Sequence, residues 1–294
     1  MKNVQNESFM IRSLKASVSP SGICRYGKTF SWLQLSFLFM FLTSCLMAPF
    51  TMSFLKMDRF SLKLVMPAAL SAVNDRFAEQ LNGIQIRNGK LTGGQRFDQI
   101  EEGNHLMAVD MEHEWKPNGE NGRLRVKGYD NAVIFQPDRL IITDQNGMGF
   151  SVRYGKADAS LTDPGVYETE AVIGQLWLAQ YKPMIMMLGC AVIFLIQLFF
   201  TAVLAGGIWM AKLSKMIDIA SCKEAASAAI CASALPAFAA AAIGLIRFDL
   251  ITVLMVHTCG VTLMIAFLFR YMAKTRRHNE NVHSGGRHDK SAVV

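Results

Sequence analysis

Residues 183–211, PMIMMLGCAVIFLIQLFFTAVLAGGIWMA, decide the fold, because this stretch contains no Asp, Glu, Lys or Arg. Residues 29–55, 225–246 and 250–269 share that property. A helix needs roughly 20 mainly apolar residues to cross the hydrocarbon core of a bilayer, and each of the four stretches is long enough. The sequence therefore predicts an α-helical polytopic membrane protein with four spans, of which 183–211 is the second.

The charged residues separate the rest of the chain into an N-terminal segment (1–28), an insert (56–182), a loop (212–224) and a tail (270–294). The first segment has five basic residues against one acidic residue, the tail has six against two, and the insert has 15 against 17. Basic residues accumulate on the cytoplasmic side of membrane proteins. We therefore expect both termini and the loop to be cytoplasmic, and the insert to be extracytoplasmic, in a bacterial cytoplasmic membrane.

The polar composition of the tail predicts a disordered segment. The net charge of +7 follows from this topology, and nucleic-acid binding is a poor explanation of it. The residues Leu42 to Cys45 look like a lipoprotein cleavage box, but the chain stays apolar beyond them. An uncleaved anchor helix over 29–55 fits that pattern better than a removed signal peptide does.

The insert has the sequence pattern of an α+β domain. Leu70, Val73, Phe77 and Leu81 fall on one face of a helix that we expect to begin near Pro67. Short apolar or alternating runs then predict strands of a small, mostly antiparallel sheet. These runs are 84–86, 106–109, 123–127, 132–135, 140–143 and 150–154. The insert contains no cysteine, so its fold must rest on its own hydrophobic core.

Two further features concern the spans. Asp163-Pro164 predicts the start of a helix that runs on into span two. Span three is rich in alanine, with small residues spaced four apart. They are Ala225, Ala229, Ser233, Ala237 and Ala241. Small side chains let helix backbones approach closely in lipid, so we expect span three to pack centrally.

Two polar side chains inside the spans form the candidate intramembrane pair, Gln197 in span two and His257 in span four. Polar residues in spans are candidates for solute or proton pathways. The competing interpretation is a structural hydrogen bond between helices or a hydrated cavity. No span contains a carboxylate, which weakens a proton-coupled scheme.

The insert also contains a group of chemically capable side chains that are close in sequence. They are His105, Asp110, Glu112, His113 and Glu114. The spacing does not match a zinc-protease helix, which needs His-Glu-x-x-His. A solvated strand end explains the group better than a metal site. No catalytic, nucleotide-binding or metal motif is present, so we expect no enzyme activity and no cofactor.

Several segments together resemble a bacterial membrane-protein family of unknown function that includes a maltodextrin-utilisation membrane protein. The similar segments are Ser19-Pro20 to Gly27-Lys28, Ile84–Leu91, Val109-Asp110 with the strand pair 132–143, and Lys223-Glu224-Ala225 with Ala234-Leu235-Pro236. The similarity extends over about 19–270, in matching order and topology. Residues Met111 to Trp115 depart from the family's usual Thr-Gly-like turn. The family offers no catalytic residues that could be transferred to this chain.

The resemblance implies a link to carbohydrate (maltodextrin) uptake and a membrane-protein partner such as a sugar transporter. We expect a non-enzymatic integral membrane protein, accessory or sensory, with an exported binding domain. The alternative is a small oligomeric transporter or channel built from transmembrane helices 2–4. Repeated polar positions within the spans would favour transport, and the sequence lacks them.

Overall fold

The protein is described by a computed structural model that covers residues 7–93, 97–101, 104–120, 122–155, 159–211, 219 and 221–288, with only the backbone for 97–101 and 278–288. The chain divides into two compact units. The first, which we call the helical unit, comprises residues 1–55 and 186–294, and the second, the α+β unit, comprises residues 56–185.

The helices account for most of the structure. In chain order they are α1 (Phe9–Val18), α2 (Pro20–Tyr26), α3 (Trp32–Leu55), α4 (Pro67–Ser71), α5 (Asp75–Gln80), α6 (Val166–Ala211), α7 (Cys222–Ile246) and α8 (Leu250–His288). Four of them are long and apolar enough to span a membrane, namely α3, α6, α7 and the Leu250–Arg277 part of α8. The predicted spans 183–211, 225–246 and 250–269 lie within α6, α7 and α8, whereas α3 begins at Trp32, three residues after the start of the predicted span 29–55. Helix α6 begins soon after Asp163-Pro164, as the sequence predicts.

Helix α7 is the central helix of the helical unit. In the most apolar 18-residue segment of α7, 61% of the residues are buried. The buried share of the corresponding segment is 33% in α3, 22% in α8 and 11% in α6. All five small residues of the predicted stripe are buried. A Cβ added at Gly260 of α8 would lie 2.8 Å from the Cβ of Pro236 in α7. The structure therefore confirms that α7 packs closely against other helices through small residues, as the sequence predicts.

The described part of the tail is helical, and residues 289–294 of the predicted tail lie outside the described residues. Helix α8 continues without interruption to His288, so residues 270–288 are helical, whereas the composition predicts disorder. The segment after Phe269 has no proline and contains Met, Ala, Lys and Arg, which are good helix formers. Adding residues to an existing helix avoids the unfavourable nucleation step, so a polar segment can continue a membrane-spanning helix.

The α+β unit contains a five-stranded sheet with the strand order β3-β4-β7-β8-β9. The strands of the unit are β1 (Gln85–Arg87), β2 (Lys90–Thr92), β3 (Phe97–Glu101), β4 (His105–Val109), β5 (Pro117–Asn118), β6 (Arg125–Val126), β7 (Asn131–Phe135), β8 (Arg139–Thr143), β9 (Gly149–Arg153) and β10 (Ala159–Ser160). Within the large sheet only β4 and β7 pair in parallel. The other three pairings are antiparallel, so the predicted mostly antiparallel sheet is confirmed.

The central strands of the large sheet, β4, β7 and β8, are buried on both faces. One face, which includes Val109, Val133 and Phe135, packs with residues of α4, α5 and the first part of α6 in the main core of the unit. The opposite face, which includes Ala108 and Ile134, is covered by Val126 and by the partly buried Trp115 and Tyr129. Alternate side chains of a strand point to opposite faces, which explains why β4, β7 and β8 are apolar at nearly every position.

The helix predicted over 67–81 is two helices. Leu70, Val73, Phe77 and Leu81 are all buried, as predicted, but α4 ends at Ser71 and α5 begins at Asp75. Asn74 causes the break, because its side chain accepts a hydrogen bond from the backbone N–H of Phe77 and caps α5. Asparagine is among the preferred residues at a helix N-cap.

Helix α4 is capped by a residue that is distant in sequence. The buried Asp144 accepts a hydrogen bond from the backbone N–H of Ala69 at 2.9 Å. The neighbouring Asn146 donates its side-chain amide to the carbonyl oxygen of Val65. A carboxylate at a helix N-terminus satisfies a free N–H and matches the helix dipole. The turn after β8 therefore holds α4 against the sheet.

Candidate functional site

A polar cleft of about 580 Å³ lies beside the edge strand β9 of the α+β unit. Its lining combines hydrogen-bonding side chains with three residues of small or apolar character. The residues are Pro117, Gly119, Leu124, Arg139, Ser151, Arg153 and Gln180. The volume lies within the range of roughly 300–1,000 Å³ that is usual for small-molecule sites.

Gln180, on the first half of α6, fixes the geometry of the cleft. Its side-chain oxygen accepts a hydrogen bond from the backbone N–H of Arg153 at 2.8 Å, and its amide nitrogen donates to the carbonyl oxygen of Ser151 at 3.4 Å. Further along β9, Gly149 exchanges backbone hydrogen bonds with Gly122. The exposed backbone groups of an edge strand are open to non-native pairing unless something covers them. Here the side chain of Gln180 and the turn at Gly122 cover the backbone groups of β9, and the cleft lies beside them.

Arg139 is held at the cleft by its sequence neighbour. Its guanidinium donates to both carboxylate oxygens of Asp138, with a shortest distance of 2.7 Å. The hydrogen bond from Arg139 lowers the pKa of Asp138 below its ordinary value. His113 lies 3.8 Å from the same carboxylate. A guanidinium has five N–H donors, so a bidentate pair with one carboxylate leaves donors for a ligand.

The sequence did not identify Arg139, Arg153 and Gln180 as site residues. They lie on two strands and one helix, and no short motif connects them. Pro137-Asp138, a dipeptide typical of turns, is the nearest local signal, since it directly precedes Arg139 at the start of β8. A cleft built from side chains that are distant in sequence is visible only after the strands have been paired.

Within the group of His and acidic residues in the insert, Asp110 has a structural role. Asp110 is buried and accepts hydrogen bonds from the backbone N–H groups of Glu112, Glu114 and Trp115, and from the side chain of Gln136. Burial by itself would raise the pKa of Asp110, but these hydrogen bonds outweigh burial and lower it. Asp110 therefore fixes the turn that follows β4.

The structure brings the remaining members of that group to no common centre. Glu112, His113 and Glu114 are exposed, and His113 faces Asp138. Within the described part of the chain, no three His, Cys, Asp or Glu side chains are placed to hold a metal ion.

The candidate intramembrane pair lies inside the helical unit. Gln197 of α6 is 4% exposed and His257 of α8 is 2% exposed. The ring of His257 packs edge-on against Phe200, with ring centroids 6.0 Å apart. Among the described residues, His257 Nε2 has no hydrogen-bond partner, and no hydrogen bond joins the two side chains. The two side chains are therefore not joined directly in this structure, and a role of either residue in a solute or proton pathway stays a prediction.

Four spanning helices and an α+β insert define an α-helical integral membrane protein, and its polar cleft lies in the insert. The chain is 67% identical over 294 residues to the "Putative maltodextrin utilization protein YvdJ" of Bacillus subtilis (strain 168), and the similarity covers 100% of both chains. The protein belongs to the family of that maltodextrin utilization protein, as its resemblance implies. No family model matches the sequence, and no solved structure matches it.

Proposed function

We propose that the protein is a non-enzymatic accessory component of maltodextrin utilisation. In this proposal the α+β unit lies outside the cytoplasmic membrane, both termini lie in the cytoplasm, and the helices anchor the unit beside a sugar transporter. The name of the relative supports the pathway, and the charge asymmetry of the chain supports the orientation.

The observation that carries the proposal is the polar cleft beside β9. Sugar hydroxyl groups donate and accept hydrogen bonds, and they suit a site that offers guanidinium, amide and hydroxyl groups together. Arg139, Arg153, Gln180 and Ser151 supply those groups, and Leu124 supplies apolar contact. Gln180 and the Asp138–Arg139 pair are already held by hydrogen bonds, which reduces the entropy that a ligand must overcome on binding.

A second candidate function is solute movement through the helical unit by an oligomer of helices α6, α7 and α8. The observation that favours it is the buried His257, whose Nε2 is without a partner within the described residues. Polar groups buried in a membrane without hydrogen bonds are costly and mark pathways in transport proteins. Against it, the spans contain no carboxylate.

Uptake of labelled maltodextrin by intact cells separates the two functions. Cells that lack the protein would be complemented with wild type, Arg153→Ala or His257→Ala, and glucose uptake would serve as the control. The accessory proposal expects Arg153→Ala to lose the maltodextrin-specific increase and His257→Ala to retain it. The reverse pattern, with both variants inserted at wild-type levels, would favour the transporter.

A further inference from the structure

Helix α1 has its apolar side chains on its exposed face. Met10, Ile11, Leu14 and Val18 are 78%, 49%, 65% and 58% exposed, and they form one stripe along the helix. The opposite face packs inward through small or polar residues, namely Arg12, Ser13, Ala16 and Ser17. An apolar stripe of this kind is unfavourable in water and is typical of a helix that lies in the interface of a bilayer.

A cleft of about 840 Å³ opens between α1, α2, α7 and α8, all within the helical unit. Leu14 and Val18 belong both to the cleft wall and to the exposed stripe. The cleft is therefore continuous with the surface that we assign to the bilayer interface. Tyr271 and Thr275 of α8 line its opposite side and contribute hydroxyl groups.

The charged side chains of the cleft are mainly basic. Lys15, Arg25 and Lys28 line it together with one carboxylate, Glu224. Lys28 lies 4.0 Å from Glu224, and Lys15 is paired at 2.9 Å with Glu7, which is not part of the wall. Among the described residues, Arg25 has no carboxylate partner.

Tyr26 contacts two of these cations. The Lys15 ammonium lies 5.8 Å from the centroid of the Tyr26 ring, and the Arg25 guanidinium lies 5.6 Å from the same centroid. Cations at such distances are attracted to the face of an aromatic ring. Tyr26 therefore helps to position both cations at the wall of the cleft, beside its apolar side chains, where an anionic group with an apolar attachment can bind.

We propose that this cleft binds an anionic phospholipid of the bilayer. Its phosphate lies against Arg25, the basic residue of the wall that has no carboxylate partner among the described residues, with Lys15 and Lys28 adding positive charge, and an acyl chain follows Leu14 and Val18 toward the exposed stripe. Basic pockets between membrane helices are the usual sites for anionic head groups. A soluble phosphate compound would share the ionic contacts but would leave the apolar wall and the stripe unused.

The test measures the melting temperature of the full-length protein in a zwitterionic detergent as lipid is added. Phosphatidylglycerol should raise the melting temperature in a saturable way, whereas phosphatidylcholine and free glycerol phosphate should not. Arg25→Gln should weaken the apparent affinity for phosphatidylglycerol by about tenfold or more, as expected for loss of one charge-assisted hydrogen bond. Arg25→Lys should restore most of it.

The matched control is Arg270→Gln, which removes the same charge from an exposed position of α8 outside the cleft wall. It should leave the affinity unchanged. Equal losses in both variants would mean general attraction to an anionic surface, and would overturn the site. Equal stabilisation by phosphatidylcholine would overturn it as well, and an effect of glycerol phosphate alone would identify a soluble ligand in place of a lipid.

A second readout uses the unmodified chain, in case Arg25→Gln fails to fold. A photoreactive phosphatidylglycerol, incorporated in vesicles with the protein, should label peptides that contain residues 14–28 and 271–275. Labelling spread evenly over the apolar faces of α3, α6 and α8 would contradict a specific site.

Discussion

The side chain of Gln180 takes the place of a neighbouring strand for Arg153, because its oxygen accepts the backbone hydrogen bond of that residue at 2.8 Å. The amide nitrogen of Gln180 donates a second hydrogen bond, to the carbonyl oxygen of Ser151. One helical side chain thus satisfies two backbone groups of β9 and leaves the side chain of Arg153 in the adjacent cleft. Protection of the sheet edge and formation of the cleft depend on the same residue.

We expect Gln180→Met to destabilise the α+β unit by about 0.5–1.5 kcal/mol, because two backbone groups of β9 exchange the Gln180 side chain for water. The matched control is Gln175→Met on the same helix, an equally exposed glutamine that makes no hydrogen bond to β9 among the described residues, and it should be nearly neutral. Urea unfolding can be followed by fluorescence of Trp115 and Trp177 after Trp32 and Trp209 have been replaced by Phe. Equal stability of the two variants would mean that Gln180 is replaceable by water.

Much of the architecture could be predicted from the sequence because two strong signals are local. The four charge-free stretches identify the spanning helices, and Asn88-Gly89 and Asn146-Gly147 identify turns between strands. Asn88 and Gly89 both have positive φ, at 50° and 75°, which is the backbone that a tight two-residue hairpin turn requires.

Other features could not be predicted because they depend on contacts between distant residues. The strands β4 and β7 pair in parallel although residues 110–130 separate them in sequence, and no local pattern indicates this pairing. The strand β3 was also missed, and β10 pairs with β1 across more than seventy residues of chain. The cleft likewise requires β8, β9 and α6 to be in place before its side chains meet.

Asp110→Asn tests the buried carboxylate. The amide nitrogen cannot accept the hydrogen bonds that the carboxylate receives, so we expect a loss of about 3 kcal/mol in the free energy of unfolding. The pKa of Asp110 is lowered in the folded protein from the ordinary value of 3.8. Its contribution is therefore fully present above the unfolded pKa and is lost as the pH falls through the folded pKa.

The acid dependence gives a second check on Asp110. Wild type should lose stability more steeply below about pH 4 than Asp110→Asn does, since the variant has no carboxylate to protonate. Asp130→Asn, at an exposed position, is the control and should keep the wild-type slope. Identical acid slopes for wild type and Asp110→Asn would show that the carboxylate contributes nothing to the pH dependence.

Ala237→Leu tests the packing of α7. Ala237 is fully buried in the helical unit, so a larger side chain should cost about 1–3 kcal/mol and lower the melting temperature in detergent. Ala239→Leu, on an exposed face of the same helix, is the matched control. If both variants have the melting temperature of wild type, the small-residue stripe does not determine how the helices pack.

Thiol labelling in intact cells tests the proposed orientation. In a protein whose six free cysteines have been replaced, single cysteines at Ser151 and Ser284 would be exposed to a membrane-impermeant maleimide. We expect labelling at position 151 and none at position 284 until the cells are permeabilised. Labelling at position 284 with none at position 151 would reverse the topology.

Direct binding tests the central claim that the protein works by binding maltodextrin at the cleft beside β9. Calorimetry with maltoheptaose would use full-length protein in lipid nanodiscs, because maltoside detergents carry a competing sugar. We predict saturable binding by wild type and by Arg87→Ala, an exposed arginine outside the cleft, and at least tenfold weaker binding by Arg153→Ala. Absence of binding by wild type, or equal binding by both arginine variants, would contradict the claim.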